Sequence, residues 1–220
     1  MSAAEHSEAV QNYLRVIHKL QAQDGRASTT AIARALRVTA ASATGMITKL
    51  AERDHVEHKP YRGVTLTTTG ERAALEMVRH HRLLERYLAE TLEVPLSDVH
   101  NEADRLEHAL SENLEAHIAA SLGHPTHDPH GDPIPDADLN LAPDEFRPLS
   151  LLSAGERAIV RRVPDADASV LEQLCDLGIV PGQVVELRAS SPGQRLVTLC
   201  VDGQEHDVSA ELAQQIGVSR

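Results

Sequence analysis

The sequence predicts a mainly α-helical chain with a β-rich C-terminal third. The parts are a winged helix–turn–helix over residues 1–70, a helical domain over 71–148 and a small β-barrel over 149–220. Three observations carry this. Apolar residues recur at helical spacing through most of the first 122 positions. One stretch rich in β-branched residues, HVEHKPYRGVTLTTTG, interrupts them early. After a Pro-rich segment, 123–148, the pattern turns to short strands separated by Pro-Gly and Asp-Gly pairs. At 220 residues there is room for one or two domains with a real core.

The elements follow in order. Residues 7–22 place Val10, Tyr13, Leu14, Ile17 and Leu20 on one helical face, with Ser7 as N-cap and Gly25 as terminator. Thr30 is read as the cap of a short helix, AIARAL, and a turn at Arg37–Thr39 leads into ASATGMITKLAERD. Two short strands around Pro60 and Gly63 complete the order of a winged helix. A long helix is predicted from Glu71 to about Leu92. A break at Val94-Pro95-Leu96 follows, then a second long helix, capped by Ser97 or Asp98, to about Leu122. The segment 123–148 holds six of the eleven prolines and reads as a linker or irregular loop. ERAIVRRV, QVVELRA and RLVTLCV are the barrel strands.

Composition excludes several classes. Apolar content of 41% and charged content of 25% are globular, not disordered. No apolar run approaches the roughly 18–20 residues needed to span a bilayer, and the first ten residues are no signal peptide. Cys175 and Cys200 cannot make a disulfide framework and are read as small core residues, so a cytoplasmic location is expected. The net charge of −12 argues at first against nucleic acid. By segment, however, residues 1–70 carry +3, 71–149 carry −11 and 150–220 carry −4. The acidity is local, and the first third remains able to approach a phosphate backbone.

In a winged helix the second helix of the turn enters the major groove by its N-terminal end. Here that end runs from Thr39 through Ala41, Ser42 and Thr44, small enough for close approach. Ser42 and Thr44 can donate to phosphates or bases, and Ala41 can meet a thymine methyl. Lys49, Lys59, Tyr61 and Arg62 are placed to hold phosphate. The weak local charge calls for a dimer on two half-sites. A winged helix used only for protein contacts is the competing reading.

The middle helices carry polar residues on apolar faces. With about 100° per residue and His81 as origin, Ala74, Met77, Leu84, Leu88 and Leu92 fall within about 60°, and so does Glu85. In the second helix His100, Asp104, Glu107 and His108 share an arc of about 100° beside the stripe of Ala103, Leu106, Leu110 and Leu114. Buried carboxylates repel and are costly unless paired or bound to a cation. A divalent metal resolves both problems. A set of carboxylates and imidazoles without thiolate suits Mn²⁺ or Fe²⁺. The bland alternative is an ion-pair network with Arg82, Arg86 and Arg105. The histidines of the loop, His124, His127 and His130, lack fixed geometry and are read as solvated.

NYLRVIHKL, KPYRGVTLTTTG, RHHRLLERYL, VHNEADRLEHALSE and GHPTHDPHGDPIP together make the chain resemble the diphtheria toxin repressor and manganese transport regulator family, over essentially its whole length. The resemblance implies a dimeric, metal-dependent repressor of metal-uptake genes, not an enzyme, acting on double-stranded operator DNA. It implies an SH3-like last domain similar to ferrous-transport protein A, and about two metal sites per subunit. One site matches His81, Glu85 and His100. The other matches Asp104, Glu107 and His108, with Asn12 at the N-terminal ligand position. Asp104, where iron-type members carry Cys or Met, implies Mn²⁺ before Fe²⁺. Asp167 and Glu172 are candidates for a ligand from the last domain. A metallohydrolase, and a winged-helix regulator answering an organic ligand, remain alternatives.

Overall fold

The computed structural model describes residues 7–59, 63–143, 146–165, 167–190 and 195–220. The expectations at Pro60, Tyr61, Arg62 and Pro192-Gly193 lie outside the described residues. The chain forms two compact units, each assembled from separate segments. The first comprises Met1–His81, Arg105–His117 and Pro135–Asn140, and the second Arg82–Asp104, Ile118–Ile134 and Leu141–Arg220.

In the first unit, α1 (Glu8–Asp24) follows Ser7, whose side chain makes no capping bond, and ends at Gly25 in the left-handed conformation. α2 (Thr29–Ala35) is capped by Ser28, whose hydroxyl accepts the Ala31 N–H, and not by Thr30. Ser28 lies one turn before the first buried residues, Ile32 and Ala33, and so meets the free N–H groups of the first turn. Thr39 caps α3 (Ala40–Glu52) in the same way. β1 (Val56–Lys59) and β2 (Gly63–Leu66) pair antiparallel, with Val56 opposite Leu66. Val10, Leu14, Ile17, Ile32, Ile47, Leu50, Val64 and Ala74 form the aliphatic core beneath them.

α4 runs Thr68–Leu92, starting three residues earlier than expected. Ala74, Met77, Leu84 and Leu88 are buried, but Leu92 is 57% exposed at the helix end. The second long helix is a correction. It is broken into α5 (Val99–Leu106), a 3-10 turn at Glu107–Ala109 and α6 (Glu112–Ser121). Leu110 turns extended (φ −73°, ψ 120°), and the Ser111 hydroxyl accepts the Leu114 N–H to restart the helix. The expected apolar stripe is therefore split: Ala103 and Leu110 are buried, while Leu106 and Leu114 are exposed.

In the second unit, β3 (Arg147–Pro148), β4 (Arg157–Arg162), β5 (Val184–Ser190), β6 (Leu196–Val201), β7 (Gln204–Ser209) and β8 (Gly217–Ser219) form one sheet. Their order is β3-β8-β4-β5-β6-β7, and every pairing is antiparallel. Register shifts in β4 and β5 bend it around an aliphatic core of Val160, Leu174, Leu187, Leu199 and Val218. α7 (Ala168–Asp176) and α8 (Ala210–Gln215) contribute to that core. Cys175 packs against it half-buried, and Cys200 is half-buried too, so neither is a fully buried core residue.

The Pro- and His-rich loop is not solvated throughout. His124 and His127 are exposed, but His130 is fully buried and Asp128 is 3% exposed. The Asp128 carboxylate accepts the N–H groups of His130 and Asp132, and the His130 carbonyl accepts the Val163 N–H. Between them Gly131 has φ +95°, and a Cβ there would lie 1.8 Å from the Arg161 carbonyl oxygen. Gly131→Ala combines left-handed strain with a backbone clash, each worth about 1–3 kcal/mol. At roughly 2–4 °C per kcal/mol the melting temperature should fall by about 4 °C or more. An unchanged calorimetric melt would show that the loop does not dock this way.

Candidate metal centre

Within the first unit, three elements converge on Glu107, which is 1% exposed in the 3-10 turn. His81, buried on α4, places Nδ1 2.7 Å from Glu107 Oε2. Arg15 from α1 places a guanidinium nitrogen 3.1 Å from the same oxygen and 3.0 Å from His81 Nδ1. A carboxylate only accepts and a guanidinium only donates, so His81 Nδ1 can donate to Glu107 or accept from Arg15, not both at once. Glu107 Oε1 is buried and has no hydrogen bond among the described residues. His108 Nε2 faces that oxygen at 3.6 Å, and Glu8 Oε1 at 3.9 Å.

The orientation of His108 is informative. Its Nδ1 lies 2.6 Å from Gln11 Oε1, and an amide oxygen only accepts. Nδ1 therefore bears the hydrogen, which in the neutral ring leaves the Nε2 lone pair beside the orphaned Glu107 oxygen. Metal-ligating histidines are fixed in this way, by donating the other ring N–H to a carbonyl or carboxylate. The donor set fits a divalent cation. Asn12 is half-buried and makes no polar contact with this group among the described residues; Gln11 and Glu8 approach His108 instead.

Within the second unit, Glu85 is fully buried on α4, and its Oε1 lies 3.0 Å from His100 Nδ1 on α5. His100 Nδ1 is 3.7 Å from Asp165 Oδ2, and its Nε2 is 4.0 Å from Asp104 Oδ2. Glu85, His100 and Asp165 offer ligand atoms within 4.8 Å of one another, as do Glu85, Asp128 and His130. His130 Nε2 lies 3.2 Å from the Leu96 carbonyl and donates to it, while its Nδ1 faces Glu85 at 3.8 Å. Burial, then the charges of Glu85 and Asp132, push the Asp128 carboxyl up to about 8. Burial alone would lower His130, but its contact with Glu85 and the Glu85 and Asp128 charges outweigh that and hold it at about 9. The cluster retains protons that a bound cation would displace.

Several residues carry no signal of their own in the sequence. The last-domain carboxylate that lies beside Glu85 and His100 is Asp165. Asp167 caps α7 by accepting the Ser169 N–H, and Glu172 is exposed. Glu8, Gln11 and Arg15 share one face of α1 at helical spacing, which marks the face but not what it meets. Of the arginines expected in a bland ion-pair network, Arg82 donates to the Pro133 carbonyl and faces Asp128 at 3.7 Å. Arg86 pairs with Glu90. Arg15, outside that expected network, reaches His81 and Glu107.

On α3, Thr39, Ala41, Ser42, Thr44 and Lys49 are exposed, while Ala43, Ile47 and Leu50 face the core. Thr39 is occupied as the helix cap, and the Thr44 hydroxyl donates back to the Ala40 carbonyl. A methyl group added at Gly45 would meet nothing within 4 Å. Mid-helix glycine costs about 1 kcal/mol relative to alanine. Lys59 on the wing pairs with Glu57 at 2.8 Å, both exposed.

Comparison with known proteins agrees along the chain. Residues 5–64 match the iron dependent repressor N-terminal DNA-binding domain, and 67–136 the iron dependent repressor metal binding and dimerisation domain. Residues 147–220 match the FeoA domain. The iron-dependent repressor IdeR of Mycobacterium leprae is 29% identical over 97% of both chains. The HTH-type transcriptional regulator MntR of Lysinibacillus sphaericus is 34% identical over 50% of this chain and 79% of its own. A solved manganese-dependent transcriptional repressor in complex with manganese superposes with TM-score 0.88. It is 39% identical, over 96% of this chain and 99% of that one. Domain order, ligand chemistry and likeness over nearly the whole length agree: the chain belongs to the diphtheria toxin repressor and manganese transport regulator family of metal-dependent transcriptional repressors.

Proposed function

We propose that this repressor is a homodimer that senses Mn²⁺ and, when loaded, binds a palindromic operator of metal-uptake genes in the cytoplasm, with no enzymatic activity. The proposed division is 1–70 for DNA, 71–148 for metal and dimerisation, with 123–148 as connecting loop, and 149–220 as the SH3-like domain. The observation that carries the reading is the buried, unbonded Glu107 oxygen facing an oriented His108 nitrogen. Two sites per subunit are proposed, one on His81, Glu107 and His108 with Asn12, the other on Glu85, His100 and Asp165 with Asp104. The exposed Leu106 and Leu114 support a partner chain in this domain.

Bound metal supplies positive charge to buried carboxylates that otherwise repel one another. The chain's own residues do the rest. Gln11 holds the His108 tautomer, and Arg15 pairs with Glu107. Both sit on α1, which shares its hydrophobic core with α3. A rearrangement at Glu107 is thus felt by the helix that presents Ser42 and Thr44. Such an effector works only through different affinity for the DNA-competent and incompetent states.

Operator binding measured by fluorescence anisotropy should strengthen about 5- to 150-fold in Mn²⁺, the span of a 1–3 kcal/mol coupling. Equal affinity after chelation, with the dimer intact, would overturn the regulatory reading. Fe²⁺ is the second reading, favoured by the full-length likeness to an iron-dependent repressor. A sulfur-free donor set admits it, and a panel of buffered divalent metals in the same assay separates the two.

A further inference from the structure

One cluster of ligand-type side chains in the first unit lies outside both proposed metal groups. His80 on α4 is 1% exposed, and neither ring nitrogen makes a hydrogen bond of acceptable geometry among the described residues. Its Nε2 faces two carboxylates of α6, Glu115 Oε2 at 3.1 Å and Glu112 Oε1 at 3.5 Å. Glu76 lies one turn earlier on α4, and Glu76, His80 and Glu112 offer ligand atoms within 4.8 Å of one another. The spacing i and i+4 on α4 brings Glu76 and His80 to one face, where Glu112 of α6 meets them and Glu115 approaches His80. Glu115 gives its other oxygen to Arg79 at 2.7 Å. Glu115 is thus shared between Arg79 and the His80 face, and the His80 imidazole is buried beside these carboxylates without hydrogen-bond alignment.

We infer that Glu76, His80 and Glu112, with Glu115 at the edge, form a third divalent-cation site that ties α4 to the first turn of α6. One imidazole nitrogen with two or three carboxylate oxygens is a hard to borderline set, suited to Mn²⁺ or Fe²⁺. Glu112 is half-exposed at its side chain, which opens the site to solvent for entry. Arg79 keeps Glu115 anchored, so the site closes chiefly by movement of the exposed Glu112. It shares no residue with the groups around Glu107 and Glu85, so it can be removed without touching them.

The test counts Mn²⁺ bound at saturation per chain by equilibrium dialysis, in the full-length protein. Glu112→Ala and Glu76→Ala replace accessible carboxylates by a good helix former and are expected to fold, which circular dichroism checks. Each should lower the count by one equivalent relative to wild type, and His80→Gln should do the same. A count unchanged in both Glu112→Ala and Glu76→Ala overturns the site. The result is separable from the two-site reading above. A wild type with one equivalent that Glu112→Ala abolishes refutes that reading and supports this one. Two equivalents insensitive to all three substitutions do the reverse.

Discussion

Replacing Glu107 by alanine should abolish the metal response while leaving metal-free operator binding nearly unchanged. Glu107 is the buried carboxylate that meets His81, Arg15 and the lone-pair face of His108. Its removal takes away the buried negative charge of that contact, and two imidazoles then hold a cation poorly. The expected gain in operator affinity on adding Mn²⁺ falls from about 5- to 150-fold to little more than unity. Arg15 is about one quarter exposed at its side chain, so it reaches water once its partner is gone and the fold survives. Glu107→Gln serves as the control. It keeps the shape and loses the charge, and should fail almost as completely. Full retention of the Mn²⁺-induced gain in either variant would remove Glu107 from the sensor.

The largest stability effect is expected at Arg79. It is 9% exposed, its Nε donates to Glu115 at 2.7 Å and its NH1 to the Pro135 carbonyl at 2.6 Å. One planar side chain thereby joins α4, α6 and the Pro-rich loop. Removing one partner of a buried pair leaves an uncompensated charge and typically costs 3–5 kcal/mol, about 3 here because His80 remains beside Glu115. In a chain of this length that lowers the melting temperature by roughly 6–12 °C. Arg79→Met should show this loss in a calorimetric melt. Arg79→Met combined with Glu115→Leu should recover much of it, since no buried charge is then left alone. A single variant no worse than the double would mean that Glu115 is already neutral.

The winged helix and the sheet are legible because their signals are local. Apolar spacing at Leu14, Ile17, Ile47 and Leu50, and Gly and Asp-Gly turns, decide those elements within a few residues of themselves. The break at Leu110 is not legible. Glu107, His108, Ala109 and Leu110 all tolerate a helix, and the turn is set by tertiary contacts that override weak propensity. Ser111 is the one local hint. The candidate ligands His81, Glu85, His100, Glu107 and His108 stand out as polar residues on apolar faces. Their partners do not, because Arg15, Gln11 and Asp165 meet them across long stretches of chain. His130 escapes a sequence reading for the same reason. Its burial follows from Gly131 docking against Arg161, thirty residues later.

The segmented make-up of the two units has a consequence for synthesis of the protein. The core beneath α3 uses residues no later than Ala74, so that module can close as soon as the start of α4 leaves the ribosome. The contact between His108 and Gln11 spans 97 positions and must wait for the 3-10 turn. The Arg79 bond to Pro135 comes later still, across 56. A nascent chain therefore presents a finished reading head before the apparatus that governs it exists, and long-range closure is the slow step. Control is acquired last.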